Sequence, residues 1–152
     1  MLHSRYPGLV CSVARALEVI GERWSLLIIR DALRGVSRFE EFQRSLGLAR
    51  NVLTARLDHL VGEGVLARKP YGTTGSRMEY ELTEKGRELG TVVIGLSNWG
   101  DRHYPNPSGP PRRFEHAECG SAVEAALICT REHQRVEDRR LRIVAGPGLS
   151  RA

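Results

Sequence analysis

The sequence predicts a mainly α-helical fold with one small β-hairpin, and three features support this prediction. Two helices joined by a tight turn are expected between Ser37 and Glu63. A short strand over residues 64–69 and a turn over residues 70–76 follow directly, and strict alternation over residues 77–82 then indicates a second strand. Helix, turn, helix and hairpin in this order are typical of a winged helix-turn-helix. A small β-rich appendage is expected after this domain.

The first helix of the pair has a start signal, an apolar face and a stop signal. Ser37 and Glu40 form a Ser-x-x-Glu pattern, which predicts a capping box in which Ser37 accepts the backbone N–H of Glu40. Gly47 ends the helix. The apolar face is carried by Phe39, Phe42 and Leu46.

The second helix begins near Ala49 and combines an apolar stripe with a polar opposite face. Around Ala55, that opposite face and its flanks offer amide, hydroxyl and guanidinium groups. Asn and Arg side chains make bidentate contacts with base edges in the major groove, although a solvated face of an ordinary amphipathic helix is the alternative. The apolar stripe consists of Leu53, Leu57, Leu60 and Val61, and the expected base-reading residues are Asn51, Thr54, Arg56 and His59.

Basic residues surround the predicted helix pair and the loop of the predicted hairpin. In a winged helix-turn-helix the hairpin reaches the DNA backbone or the minor groove while the second helix lies in the major groove. We therefore expect phosphate contacts from Arg38, Arg50, Arg68, Lys69 and Arg77.

Several segments together resemble the HxlR family of bacterial winged-helix transcription regulators, over roughly residues 9–103. Two departures from the family pattern are visible: Ala49 stands where a Ser or Thr usually caps the second helix, and the hairpin tip Gly72–Ser76 lacks the prolines of many relatives. The segments that carry the resemblance are Cys11–Asp31, Ser37–Phe42, Val52–Leu57, Glu63–Leu66 and Tyr80–Gly86.

A long helix is predicted from Glu84 to His103, with Thr83 as its cap. Its apolar stripe needs a partner, because the winged domain already has its own interior. The resemblance implies a two-fold dimer formed through the first and last helices, and the alternative is a stripe that folds back onto its own domain. The expected dimerisation residues are Leu89, Val92, Val93, Leu96 and Trp99.

Cys11 is a candidate redox sensor. A first helix is predicted over about residues 9–20, and a thiolate in its first turn would be favoured by the helix dipole and by Arg15. The resemblance implies the same role, because several relatives sense oxidants or electrophiles through a cysteine at this position. The alternative is a small cysteine that merely packs.

A second helix over residues 22–33 is expected to bury Trp24, although Trp24 could instead line a ligand pocket.

The chain is expected to comprise a winged-helix and dimerisation domain (1–104), a Pro-rich linker (105–112) and a small appendage (113–152). In the appendage, a His-x2-Cys pair and a Cys-x3-His pair are compatible with a zinc site. A metal-free β-rich flap and a disulfide between the two cysteines are the alternatives, the latter disfavoured in a reducing cytosol. The four candidate ligands are His116, Cys119, Cys129 and His133.

Composition narrows the classes of function. The net charge of +5 and the pI near 9.6 fit a polyanionic partner. No apolar run approaches the length of a membrane span and the first residues lack a signal-peptide core, so a cytoplasmic protein is expected. We find no phosphate-cradling Gly-rich loop and no Gly-x-Ser-x-Gly or His-Glu-x-x-His motif, which argues against an enzyme.

The sequence therefore predicts a dimeric, sequence-specific DNA-binding transcription regulator. We favour a repressor that binds a pseudo-palindromic operator in double-stranded DNA and responds to a small-molecule effector or a redox signal. The alternative is a winged-helix adaptor that makes protein contacts without specific DNA binding.

Overall fold

The structure is a computed structural model, and it describes Tyr6, residues 9–72 and residues 77–149 of the chain. Two compact units, Met1–Val93 and Ile94–Ala152, divide the chain, and their boundary lies inside the helix predicted over residues 84–103 rather than at the predicted linker over residues 105–112. The elements are α1 (Ser12–Ile20), α2 (Ser25–Leu33), α3 (Phe39–Leu46), α4 (Arg50–Gly62), β1 (Leu66–Tyr71), β2 (Arg77–Leu82), α5 (Glu84–Glu88), α6 (Gly90–His103) and a short 3-10 helix (Asp138–Arg140).

The core of the first unit lies between α2, α3, α4 and the base of the hairpin. The apolar stripe predicted for α4 is largely buried, which positions the opposite face of that helix toward solvent. The ring of Phe42 meets that of Tyr80 edge to face, with 6.5 Å between ring centres, so α3 packs directly on β2. The fully buried apolar residues are Ile28, Ile29, Phe42, Leu53, Leu57, Leu60, Val65 and Leu66.

A three-residue turn, Gly47 to Ala49, joins α3 to α4. Gly47 has φ 64°, a left-handed conformation that glycine adopts without steric cost, and its N–H donates to the Gln43 carbonyl at 2.9 Å. The Gln43 amide in turn donates to the Leu48 carbonyl at 3.3 Å. The glycine stop predicted from the sequence is thus the turn of the helix-turn-helix.

The start of α3 differs from the predicted capping box. Ser37 and Arg38 are extended rather than helical, because the Tyr80 N–H donates to the Ser37 carbonyl at 2.7 Å and Arg38 forms a β-bridge with Glu79. The helix consequently starts at Phe39. The capping carboxylate is that of Glu41 rather than Glu40, and it accepts the N–H of Arg38 at 3.1 Å.

α2 is shorter than predicted, and Trp24 is not a core residue. The helix begins at Ser25, and half-buried Trp24 precedes it with the Arg23 guanidinium 5.1 Å from its ring centre. The apolar centre of α2 is carried instead by Ile28 and Ile29.

α2 also carries a buried carboxylate, Asp31. It accepts from Arg30 at 2.8 Å and from Arg34 at 3.0 Å. Burial by itself raises the pKa of the Asp31 carboxyl, but hydrogen bonds from Ser45 and Arg30 and the charges of both arginines outweigh it and hold the pKa below its ordinary value. The buried carboxylate is therefore held by two arginines that are close to it in the sequence.

β1 and β2 form an antiparallel hairpin that begins at the pair Leu66–Leu82 and extends to the pair Tyr71–Arg77. β1 lies two residues later than the predicted strand over residues 64–69, because it includes Pro70 and Tyr71, whereas β2 has the predicted bounds. Alternation buries Tyr80 and Leu82, whereas Met78 is exposed near the far end. Residues 73–76 of the predicted hairpin tip lie outside the described residues.

The predicted long helix after the hairpin is two helices. The Thr83 hydroxyl accepts the Gly86 N–H at 3.1 Å and caps α5, as expected. α5 ends at Glu88, Leu89 follows as its C-cap, and α6 starts at Gly90. Glycine is a poor helix former, and the apolar spacing continues across the break, which is why the sequence pattern did not reveal it.

In the second unit, the appendage is not β-rich within the residues described here. Between Tyr104 and Leu149 the regular structure comprises two isolated β-bridges, Glu115 with Ala122 and Ile128 with Arg135, together with the short 3-10 helix. So short a segment buries too little apolar surface to support a sheet of its own.

Gly86 provides a test of the packing at the base of the hairpin. A Cβ atom there would fall on the Val65 carbonyl oxygen and lie 2.9 Å from Leu82 Cδ2, so we expect Gly86→Ala to lower the free energy of unfolding by about 1–3 kcal/mol. Chemical denaturation measures this change.

Gly62→Ala is the matched control, because a Cβ at Gly62 meets open space in the last turn of α4. This control should leave stability unchanged or raise it by about 0.4–1 kcal/mol. Equal effects of the two substitutions would contradict the described packing of α5.

Candidate nucleic-acid interface

The exposed face of α4 carries small and polar side chains. Asn51, Thr54, Ala55 and Asp58 are all exposed, opposite the buried leucines of the same helix. The Thr54 hydroxyl donates to the Arg50 carbonyl at 2.9 Å and keeps its oxygen free to accept a further hydrogen bond. The face is therefore polar, and Ala55 lets a large partner approach closely.

Arg56 and His59 are placed on the flank of α4 and are engaged inside the first unit, which differs from their expected role in base reading. Arg56 Nη2 lies 3.1 Å from Glu22 Oε2, with both side chains about two-thirds buried. His59 Nε2 lies 3.1 Å from the Val19 carbonyl oxygen. Because a carbonyl only accepts, Nε2 carries the proton. Both contacts reach the end of α1 and the residues just beyond it.

The basic side chains of β1 are held in exposed ion pairs. Arg68 pairs with Asp58 of α4, and its guanidinium lies 5.5 Å from the Tyr80 ring centre. Lys69 pairs with Glu81 on the neighbouring strand. Exposed pairs of this kind contribute little free energy, so their cations can be transferred to phosphate groups at little cost.

Two further arginines lie over aromatic rings beside α4. The Arg38 guanidinium is 4.8 Å from the Tyr71 ring centre, and that of Arg50 is 4.7 Å from the Phe39 ring centre. Stacking limits the motion of these side chains while their N–H groups stay available to a ligand.

An open cleft of about 380 Å³ lies between α3 and the far end of the hairpin. It brings together Arg38 and Arg77, which were predicted to contact phosphate, with residues that the sequence pattern did not single out. Arg44 and Tyr71 belong to this second group, because nothing in the chain order indicates that α3 faces the hairpin. The cleft is lined by Arg38, Glu40, Glu41, Arg44, Tyr71 and Arg77.

Cys11 lies just before α1 rather than in its first turn. It is the N-cap residue, with φ −143° and ψ 124°, and its thiol is half-buried. α1 exposes apolar side chains on its outer side: Val13 is 66% exposed and Leu17 is 40% exposed.

The predicted dimerisation stripe divides between the two faces of α6. Val93 is buried, whereas Val92, Leu96 and Trp99 are exposed, and Leu89 lies in the break before the helix. The Trp99 ring contacts the rings of His103 and Tyr104, with centres 5.1 and 5.5 Å away.

Two turns with the same hydrogen-bond pattern contain the candidate zinc ligands. In the first, the Gly120 N–H donates to the His116 carbonyl at 2.8 Å, and in the second the His133 N–H donates to the Cys129 carbonyl at 2.9 Å. His133 has φ 54° and matches Gly120, with φ 68°. Glu132 consequently stands at the position that corresponds to Cys119.

The structure does not assemble the predicted four-ligand zinc site. Within the described ranges, no three His, Cys, Asp or Glu side chains come together in a way that could hold a metal ion. The His116 Nδ1 atom does lie 3.3 Å from the Cys119 sulfur. His133 stands one residue beyond the position that corresponds to Cys119, and its backbone has a positive φ.

Both appendage thiols are acidified locally. Hydrogen bonds from the hydroxyl and N–H of Ser121, followed by one from His116, lower the pKa of the Cys119 thiol to about 7. The backbone N–H groups of Glu132 and Arg131 lower the pKa of the Cys129 thiol. The three cysteines of the chain are free thiols.

A helix-turn-helix whose second helix exposes a polar face beside a basic hairpin defines a winged-helix DNA-binding protein. The chain belongs to the HxlR-like helix-turn-helix family, whose family model matches residues 19–108. It is accordingly a DNA-binding transcriptional regulator and not an enzyme. Across the part of the chain that the structure describes, no helix is long and apolar enough to cross a membrane.

Similar proteins carry the same description. An uncharacterized HTH-type transcriptional regulator of Mycobacterium tuberculosis (strain ATCC 25618 / H37Rv) is 44% identical over 138 residues, covering 91% of this chain and 87% of its own. The crystal structure of PA1607, a candidate transcription factor, is 38% identical with a TM-score of 0.80, covering 91% of this chain and 97% of the other. The redox regulator HypR in its reduced form is 32% identical with a TM-score of 0.56, covering 61% and 95%.

Proposed function

We propose that this regulator is a homodimeric repressor that recognises its operator through Asn51 and Thr54 on α4. Basic residues of α3, of the start of α4 and of the hairpin would hold the sugar-phosphate backbone. The observation that carries the proposal is the exposed polar face of α4, with Arg50 at its start and Arg68 of the hairpin paired with Asp58 on it. The proposed phosphate contacts are Arg38, Arg50, Arg68, Lys69 and Arg77.

The exposed positions of α4 support a role in base reading. Asn51 lies in the first turn, where a helix inserted into the major groove meets the base edges, and its amide can pair with N6 and N7 of adenine. Thr54 can accept from a base or contact a thymine methyl group. We leave Arg56 and His59 out of the reading set, because Glu22 and the Val19 carbonyl already engage them.

The exposed apolar residues of α1 and α6 support a dimer. Val13 on α1 and both Leu96 and Trp99 on α6 expose about half or more of their surface. On each helix, large exposed apolar side chains of this kind mark an interaction surface. We take the partner on this surface to be a second copy of the chain, because a palindromic operator has two half-sites and needs two reading helices. Such a dimer represses by occupying its site, without needing any further contact.

The signal is proposed to act at α1. Cys11 lies at the start of this helix, and HypR, a redox regulator, is among the similar structures. The other end of α1 is tied to the reading helix through the contact of His59 with Val19. Oxidation that displaced α1 would therefore move α4 relative to its partner copy and change operator affinity.

Asn51→Ala should reduce discrimination between the operator and unrelated DNA by about 1–3 kcal/mol, roughly 5- to 150-fold. Fluorescence anisotropy with an operator that the wild-type protein has selected from random duplexes measures this discrimination.

Lys69→Gln should instead weaken binding to all sequences and reduce the slope of log affinity against log salt by about 1.

Asn106→Ala is the matched control for the Asn51 experiment, because Asn106 is an exposed asparagine outside α4. If Asn51→Ala binds with the same discrimination as this control, α4 is not the reading helix.

The dimer can be tested by light scattering, and the wild-type particle should have twice the 17.0 kDa mass of one chain. Leu96→Glu should convert it to a single chain, because a carboxylate would have to be desolvated within the interface. Leu141→Glu is the control: Leu141 and Leu96 are 55% and 51% exposed. A wild-type protein of single-chain mass would overturn the dimer.

The redox proposal predicts that diamide oxidises the Cys11 thiols of the two copies to one disulfide and is itself reduced to the hydrazine. Operator binding of the wild-type protein should then weaken by about 5- to 150-fold, the usual range of coupling between two sites. Cys11→Ser should abolish this response. The double variant Cys119→Ser/Cys129→Ser is the control and should respond like the wild type. If operator binding by the double variant did not respond to diamide, the sensing cysteine would lie in the appendage and not at Cys11.

A further inference from the structure

We propose that the cleft between α3 and the far end of the hairpin binds a phosphate group of the DNA backbone, with Arg44 as a ligand beside Arg38 and Arg77. This inference rests on the proposed DNA contact through α4. It adds the second turn of α3 to the interface, a segment to which no sequence motif assigns a role.

The backbone holds the two walls of the cleft together. The Tyr80 N–H donates to the Ser37 carbonyl at 2.7 Å, and the bridge between Arg38 and Glu79 adds the start of α3 to the edge of β2. Tyr71 and Arg77 face each other as the last described pair of the hairpin. The cleft is thus formed by a continuous hydrogen-bonded unit rather than by a loop closing over a helix.

The charges in the cleft favour an anion. Arg38 lies over the Tyr71 ring, so its guanidinium is oriented without a carboxylate partner. Arg44 and Arg77 form no ion pair with any acidic side chain in the described residues. The carboxylate of Glu41 is turned toward the backbone, where it accepts the N–H of Arg38 at 3.1 Å.

Two of the lining residues, Glu40 and Glu41, carry negative charge, and Glu40 is the more exposed of the two. Glu40 lies four residues before Arg44, on the same side of α3. Removing the charge of Glu40 should therefore have the opposite effect on anion binding in the cleft from removing the charge of Arg44.

The position of the cleft identifies the anion as a nucleic-acid phosphate. Its walls are joined to the proposed reading helix on both sides: Arg50 of α4 lies over Phe39 of α3, and Asp58 of α4 pairs with Arg68 of the hairpin. A duplex in contact with α4 therefore runs beside the cleft. Arginine guanidinium groups match phosphate oxygens with two parallel hydrogen bonds, whereas an open polar cleft offers little to an apolar ligand.

Substitutions of opposite sign test the inference. Arg44→Gln should weaken binding to operator and to unrelated duplexes by the same factor, and should reduce the slope of log affinity against log salt by about 0.9 per lost contact. Glu40→Gln should strengthen binding to both. Arg44→Lys, which keeps the charge, should restore most of the slope.

Arg87→Gln and Glu88→Gln form the matched control pair. Both residues are exposed on α5, which follows the base of the hairpin, about 17 Å from the far end given the length of the strands. Neither substitution should change the salt slope. Thermal unfolding of each variant checks that the fold is retained.

The outcomes separate this inference from the function on which it rests. A wild-type protein that binds no duplex contradicts the proposed function itself. If the wild type binds and Arg44→Gln keeps its salt slope, the cleft does not hold a phosphate, although α4 still contacts DNA. A loss of sequence discrimination in Arg44→Gln, with an unchanged slope, would also overturn the inference, because it would indicate base contact.

Discussion

The geometry of the first unit depends on a short extended segment, Ser37 and Arg38, that joins the helix pair to the hairpin. Its carbonyl accepts the Tyr80 N–H, and its bridge to Glu79 places the start of α3 against β2. Edge-to-face packing of Phe42 on Tyr80 continues the same contact into the core. These interactions fix the orientation of the helix pair relative to the hairpin. The basic hairpin and the polar face of α4 therefore belong to one rigid arrangement.

A second set of contacts links α4 to the opposite side of the unit. Arg56 reaches Glu22 and His59 reaches the Val19 carbonyl, both at 3.1 Å. Side chains on the flank of α4 are thus used to hold that helix against the end of α1. The side chains of α4 therefore fall into two sets: Asn51 and Thr54 face solvent, whereas Arg56 and His59 hold the helix in place. A displacement of α1 would consequently be transmitted to α4 through hydrogen bonds that already exist, without a change in the core.

Much of the fold follows from local patterns, whereas parts of the interface do not. Leucine spacing identified α4, and Gly47 identified the turn, because periodicity and a left-handed glycine are properties of a few neighbouring residues. The role of Arg56 depends on Glu22, more than 30 residues earlier, so a flank position could not be assigned from the helix alone. The turns of the appendage depend on a similar feature: His133 occupies a left-handed backbone position that its spacing from Cys129 does not reveal.

The start of α4 has a consequence for the thermodynamics of recognition. Ala49, the residue before the helix, provides no side-chain hydrogen bond to the first turn. The Ala49 carbonyl accepts the Val52 N–H at 3.1 Å, so the leading N–H groups that receive no acceptor from the cap are those of Arg50 and Asn51. Any acceptor supplied by DNA would satisfy them and favour the helical conformation there. Part of the rigidity of the recognition element would then be supplied by the nucleic acid, and binding would carry an entropic cost that a serine or threonine cap would have met during folding.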